Sequence, residues 1–444
     1  MKKKPISQLI PAVLIAATLL SVIGSGIYIK AAELSSRKKV DGIAEAASGR
    51  CDFALPEGVR VVALGEATHG NKEFQELKLE VFRKLVNEYD YHVFGLEENF
   101  GSALRVDDYI CGRREEPDVR ALVMELGCYI YHTEDFVRIV EYMKQYNESV
   151  PESEMLHFFG FDMQGITDYD TERLMALIEG LPEDAPDRAE MLSIASEIAL
   201  PMQEDFVCNA DSRAQYTPRF EELKALLAAS DLSPFDREMS IHSVDIAIGL
   251  LTYYDYDLDS TELFYFRDRN MAANVKWYDD LLSAEGRTGI LCTAHNGHVA
   301  SIDARAELEG ALSFGGNLRQ IYADDLYIIG TEYYHSVDNV NDHSHFSHAY
   351  TRRDHAFCSA DPIAYQAKDY ADASFFLDFS EVPEGSEAYA ILHAPNDMGI
   401  MGEGFVPEDG FCMDNFRTKM VAADAYDAVI YYFEVGPIRV FDVE

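Results

Sequence analysis

Short apolar runs rich in β-branched residues alternate with amphipathic stretches along the first third of the chain. Val59–Leu64 (VRVVAL), closed by Gly65, reads as a buried strand. Asn71–Tyr89 then places Phe74, Leu77, Val81, Phe82 and Leu85 on one stripe with charges opposite, which predicts a helix. His92–Leu96 predicts a second strand, followed by helices near Gly101–Tyr109, Val119–Leu126 and Glu134–Tyr146. A third strand, Leu156–Phe161, ends at Asp162. Strand signals vanish from about Thr171 to Ala284, where helical stretches such as Glu172–Glu179 and Pro218–Ala229 take over. They return at Thr288–Thr293, Leu326–Thr331, Ser374–Leu377 and Ala428–Phe433. Strands alternating with helices imply an α/β fold, a mainly parallel β-sheet flanked by helices, with a helical insertion at about 171–284 inside a domain covering 41–444.

Residues 1–40 have a different pattern. Lys2, Lys3 and Lys4 precede an uncharged run from Pro5 to Ile29, and its Leu9–Ile29 portion would span about 30 Å as a helix. This predicts an exported protein, either anchored in the cell membrane with its body outside or secreted after cleavage near the small residues Ala31 and Ala32. Ser35–Lys39 reads as a short tether.

The 444 residues hold 37 Lys and Arg against 78 Asp and Glu, a net charge of −41. Phosphate backbones are bound mainly by Lys and Arg, so a nucleic-acid partner is excluded. With 48% hydrophobic residues the chain can build a sizeable core. Its seven cysteines form no CxxC pair, which argues against a zinc ribbon or a thioredoxin-type motif; Cys111 and Cys128 are close enough in sequence to be considered for a bridge.

Chemistry gathers after the strands: Glu66 and His69 after the first, Glu97 and Glu98 after the second, Asp162 after the third, His295 and His298 after the fourth. Ligand crevices of open parallel sheets lie outside these carboxyl ends, so the residues are expected to converge. Imidazole titrates near neutrality and a neighbouring carboxylate can fix its tautomer, a combination suited to acid–base catalysis. Glu97 and Glu98 point in different directions, so Glu97 is expected in the pocket and Glu98 in solvent. His92 and His157, at strand starts, are expected to be structural. The ExxH spacing of Glu66 and His69 and the HxxH spacing of His295 and His298 also suit metal ligation. No GxSxG elbow, GxxxxGK[ST] loop or strand-coupled GxGxxG is present.

Five segments, LGEATHGNKEF (Leu64–Phe74), GLEEN (Gly95–Asn99), FFGFDMQG (Phe158–Gly165), RDRNMAANV (Arg267–Val275) and TAHNGHV (Thr293–Val299), resemble in matching order the erythromycin esterases, hydrolases that open macrolide lactone rings. The resemblance implies an α/β core with a helical insertion and a His-assisted attack of water on an ester carbonyl, without a serine or cysteine nucleophile. It makes His69 the general base, supported by Glu66. Glu97 would help place the water or the base, and His295 and His298 would polarise the carbonyl or stabilise the oxyanion. Lys78 stands where the family often has arginine, and lysine lacks the planar bidentate fork of a guanidinium. Lys78, Asp162, His298, Arg267 and Asn274 are the expected substrate contacts; Arg267 and Asn274, seven residues apart, share a helix face.

The expected partners are a small-molecule ester or lactone and, through the N-terminal segment, the membrane. No cofactor is implied, with a divalent metal as an open branch. Two alternatives stay open: a metal-dependent hydrolase on the same residues, and a non-catalytic surface protein linked to envelope polysaccharide. A strongly negative field would also attract a cationic amino sugar. The chain beyond Thr331, including Gly402–Gly404 and Pro407–Phe411, carries no predicted chemistry.

Overall fold

Strands form at Ala47–Ser48 (β1), Val61–Glu66 (β2), Val93–Asn99 (β3), His157–Asp162 (β4), Ile290–His295 (β5), Leu326–Asp342 (β6), Thr351–Cys358 (β7), Ser374–Asp378 (β8), Asn396–Gly399 (β9), Gly404–Phe405 (β10), Arg417–Met420 (β11) and Ala428–Val435 (β12), with β2 to β5 built on runs of apolar residues. Helices between them include Ile6–Ser36 (α1), Lys72–Tyr89 (α2), Phe100–Ile110 (α3), Val119–Val123 (α4), Glu134–Asn147 (α5), Asp168–Glu179 (α6), Arg188–Ala195 (α7), Ala210–Ala228 (α8), Pro234–Tyr253 (α9) and Thr261–Ala284 (α10). This computed structural model describes residues 6–257, 260–284, 286–302, 311–344 and 351–441; the side chains of residues 6–19, 409 and 414 lie outside that description. The expected α/β class, a mainly parallel sheet with flanking helices, is what forms.

The chain divides into two compact units. The larger comprises Leu55–Gly65, Gln75–Ile328 and Val440–Glu444; the smaller comprises Met1–Ala54, Glu66–Phe74 and Ile329–Arg439. In the larger unit β3 lies between β5 and β4, parallel to both, with Val93 opposite Ile290 and His157. Every residue of β4 and β5 is buried, as expected of parallel strands covered on both faces. Phe94 stacks on Phe158 and meets Phe82 of α2 edge-on, with ring centroids 5.4 and 5.3 Å apart. The predicted stripe on α2 (Leu77, Val81, Phe82, Leu85) is buried.

The region between 171 and 284 is helical, as its periodicity predicts. Thr167 and Asp170 form a capping box that starts α6, and Asn209 and Ser212 form another for α8. Arg173 of α6 bridges Asp108 of α3 at 2.9 Å and Asp236 of α9 at 2.7 Å. Trp277, the one tryptophan, stacks on buried His242 at 3.7 Å, joining α10 to α9.

In the smaller unit β12 pairs in parallel with β6 and antiparallel with β8, and β1 extends the edge beyond β8. β6 is 17 residues long, far beyond the predicted Leu326–Thr331. Its later part (EYYHSVDNVND) is too polar to read as a buried strand, but it forms a ladder with β7 from His335↔Cys358 to Asp342↔Thr351. Helix α1 docks its last turn here: Ser36 Oγ lies 3.1 Å from Tyr334 Oη, which donates to the Glu33 carbonyl at 2.9 Å. The expected anchor Leu9–Ile29 lies within α1, largely on residues whose side chains are outside the description. Among the described residues no helix is long and apolar enough to cross a membrane. All seven cysteines are free, so Cys111 and Cys128 are not bridged.

Gly160 in β4 is required by close packing. A Cβ there would sit 2.6 Å from the carbonyl oxygens of Glu98 and Asn99 and 2.8 Å from Ala103 Cβ. Backbone atoms cannot swing aside, so Gly160→Ala is expected to cost about 1–3 kcal/mol, measurable as a lowered denaturant midpoint in chemical unfolding.

Candidate active site

Two polar clusters form at strand ends, one in each unit. In the smaller unit the GEATHG turn continues from the end of β2. Glu66 is buried, and its Oε1 lies 2.6 Å from His69 Nδ1. A carboxylate can only accept, so Nδ1 carries the hydrogen and the basic lone pair of the neutral ring falls on Nε2.

The turn is fastened by segments more than 250 residues away. Ala67 N donates to Thr331 Oγ1 at 2.9 Å, and Met401 N to the Ala67 carbonyl at 3.1 Å. Asn339 N and Ile438 N both donate to the Gly70 carbonyl, at 3.0 and 2.9 Å. The amide of Asn71 reaches Ser336 Oγ and the carbonyls of Val337 and Gly436. A Cβ on Gly70 would lie 2.9 Å from both Asn339 N and Asp338 Cβ, so only glycine admits this approach.

Asp338, wholly buried beside the turn, bonds Ser336 Oγ through Oδ1, and its Oδ2 has no donor among the described residues. Burial pushes its carboxyl up to about 7.

In the larger unit a guanidinium organises the cluster. Arg267 of α10 donates to Asp162 through Nε at 3.0 Å and Nη2 at 2.6 Å, and to Glu97 Oε1 through Nη2 at 2.7 Å. Its Nη1 lies 3.0 Å from His298 Nε2. Glu97 Oε2 accepts the backbone N–H of His295 at 2.9 Å. His298 Nδ1 is 2.6 Å from Asp268 Oδ1, and the ring stacks on Phe264 at 4.9 Å. Burial opposes charge on His298, but the Asp268 and Glu97 carboxylates outweigh it and its pKa moves upward. His295 Nδ1 accepts the Gly297 N–H at 3.1 Å, which places the proton of its neutral ring on Nε2.

The larger unit therefore brings together Glu97, Asp162, Arg267, His295 and His298, with Asp268 as a further member. Asn274 donates to the Phe161 carbonyl at 2.9 Å, fastening α10 to β4. Lys78 is buried, its ammonium 2.6 Å from Gln75 Oε1 and over the rings of Tyr131 and Phe136. Glu98 corrects the sequence reading: it is fully buried, because it accepts the backbone N–H groups of Asn99, Gly127 and Cys128 at 2.8, 2.9 and 3.0 Å. Burial nevertheless pushes it up to about 7. His157 is held by Asp107 and Arg287, and His92 by the Thr288 carbonyl, both structural as expected.

Among the described residues, the groups close enough to share a metal ion are Glu33 with His335 and Cys358, and Asp107 with Cys111 and His157. Neither includes a histidine of the two clusters. Asp338 and Glu403, beside the GEATHG turn, were not indicated by the sequence. They follow no apolar strand that ends in a tight turn, and only the folded chain brings them to His69.

Carboxylate-supported histidines at the strand ends of an α/β fold define a class of protein equipped for acid–base chemistry. A family model described as erythromycin esterase matches residues 86–435, and the chain belongs to that family. The chain is 26% identical over 276 residues to the putative hydrolase YbfO of Bacillus subtilis (strain 168), a match covering 55% of this chain and 57% of that protein. Among solved structures, a succinoglycan biosynthesis protein matches with a TM-score of 0.70 at 15% identity, covering 93% of this chain and 99% of its own. A mutant erythromycin esterase in its open conformation matches with a TM-score of 0.56 at 16% identity, covering 87% and 93%. These two share the fold.

Asp338 makes stability depend on pH. Its folded pKa lies above the unfolded value, so the native state holds the proton longer, and stability falls as pH rises from about 4 to about 7. Asp338→Asn is expected to leave stability near the wild-type value at acidic pH and to raise it above pH 7 by on the order of a few kcal/mol. Urea unfolding at several pH values checks both ends.

Proposed function

We propose that this chain is an exported hydrolase of the erythromycin esterase type, in which His69 activates a water molecule for attack on a lactone or other carboxylic ester. The observation that carries the reading is the 2.6 Å bond between Glu66 Oε1 and His69 Nδ1. It fixes the tautomer whose Nε2 can take a proton, and it stabilises the imidazolium that results. Charged and hydrogen-bonding groups would then hold the tetrahedral oxyanion. Within the larger unit, Arg267, already bonded to two carboxylates, fits a role in orienting Glu97 and His298. No acyl-enzyme is required. The match to YbfO spans little more than half of that protein, so substrate and activity are assigned by this chemistry. Export rests on the basic amino end and the apolar run that follows it.

His69→Ala is expected to lower kcat/KM by about 10²–10⁴-fold, and Glu66→Gln to give a smaller loss. The rate should fall as acid protonates the base. Mass spectrometry of a macrolide panel incubated with the protein reads hydrolysis as the gain of one water; full turnover by the His69 variant on every ester tested would end the proposal. A double-mutant cycle of Glu66 and His69 on kcat/KM should be non-additive, since the two act through one bond. A second reading, a surface protein tied to envelope polysaccharide, draws on the neighbour named as a succinoglycan biosynthesis protein, and binding without turnover would favour it.

A further inference from the structure

The loop after β9 runs alongside the GEATHG turn: Met401 N donates to the Ala67 carbonyl and His69 N to the Met401 carbonyl, at 3.1 and 3.3 Å. Two residues later comes Glu403. Its backbone carbonyl accepts Asn341 N at 2.9 Å, and its Oε1 accepts the Asn341 amide at 2.8 Å and the guanidinium of Arg352. Arg352 also donates to Asn339 Oδ1 at 3.0 Å, and Asn339 N donates to the Gly70 carbonyl. The Glu403–Arg352 pair is thus tied to the His69 turn through Met401 on one side and through Asn339 on the other.

The remaining oxygen, Glu403 Oε2, is buried with no donor among the described residues. The Glu403 side chain as a whole is 35% exposed; an oxygen without a donor disfavours the ionised form, and a nearby positive charge favours it. Burial raises the Glu403 pKa, and the charges of Arg352 and His69 oppose that rise. The interaction is mutual: an imidazolium that favours the Glu403 anion is favoured by it to the same extent.

We propose that Glu403 is a positioning residue for His69, setting a second carboxylate against the imidazole as it takes the proton of water. The inference rests on the reading of His69 as the base. Water's oxygen bonds to the carbonyl carbon while its proton passes to His69 Nε2. The imidazolium is then bonded to Glu66 at Nδ1 and feels the charge of Glu403. The proton leaves to the alkoxide as the ester C–O bond breaks, so ester and water become acid and alcohol with no oxidant or reductant. Among the described residues, the other charged and titratable groups on the elements packed here include Glu66 at Nδ1, Asp338 beside Gly70, Arg352, His343 against Gly404, Asp342 and His355 beside Phe405, and Asp354 with Arg439 beside Asn339.

The test is an NMR titration of the His69 imidazole in the full chain, its signal assigned by loss in His69→Ala, beside pH profiles of p-nitrophenyl acetate hydrolysis. Glu403→Gln is expected to lower the His69 midpoint by about one pH unit and to shift the acidic limb of kcat/KM by the same amount. kcat should fall about tenfold and KM should change less than about twofold. Glu403→Asp, which keeps the charge, should restore part of the shift. A folded Glu403→Gln protein with an unmoved His69 midpoint would overturn the inference. If the Gln variant does not fold, Glu403→Asp decides: its withdrawn carboxylate should lower the midpoint by a smaller amount, and no change overturns the proposal. Failure of the base reading would show separately, as hydrolysis surviving in His69→Ala, because the titration reads the coupling without turnover.

Discussion

A carboxylate at the end of a buried strand must find donors within the protein, because water cannot reach it. β2, β3 and β4 all end in this way. Glu66 recruits His69 from its own turn. Glu97 and Asp162 share Arg267, which α10 supplies from more than a hundred residues away. Glu98 takes three backbone N–H groups from its own strand end and from the loop before Tyr129. Each bond fixes a segment that would otherwise be a loop, so the demand to satisfy buried charge assembles the polar clusters and also holds the fold around them.

The clusters differ in how they use this constraint. In the larger unit carboxylates and cations are interleaved, and each is bonded on more than one side; such a network resists rearrangement, because removing one member leaves its neighbour buried and unpaired. In the smaller unit two carboxyls whose pKa burial raises, Asp338 and Glu403, belong to the segments that fasten the turn of the Glu66–His69 bond. Asp338 and Glu403 both lie there with an oxygen lacking a donor among the described residues. The first arrangement suits a fixed frame, the second a proton that has to move.

Much of the fold was legible because buried parallel strands are continuous apolar runs: Val93–Asn99, His157–Asp162 and Ile290–His295 lie close to their predicted positions. The GEATHG and AHNGH turns were legible because histidine and glycine directly after such runs stand out. Two things were hidden. Glu98 looked like a surface residue, since its three backbone donors carry no side-chain signature. The second half of β6 lay beyond the predicted strand, which stopped at Thr331, because Asp338 and Asn341 owe their burial to pairing with distant strands. The chemistry beside His69 that this strand carries therefore could not be read from local pattern.

The docking of α1 bears on how the chain would mature. Peptidases grip a backbone in extended form, and residues 31–36 are helical, with Glu33 fastened through its carbonyl to Tyr334 and through its carboxylate to Arg37. A cut beside Ala31 or Ala32 would therefore have to precede the closure of this last turn onto Tyr334, making removal of a leader a race against folding.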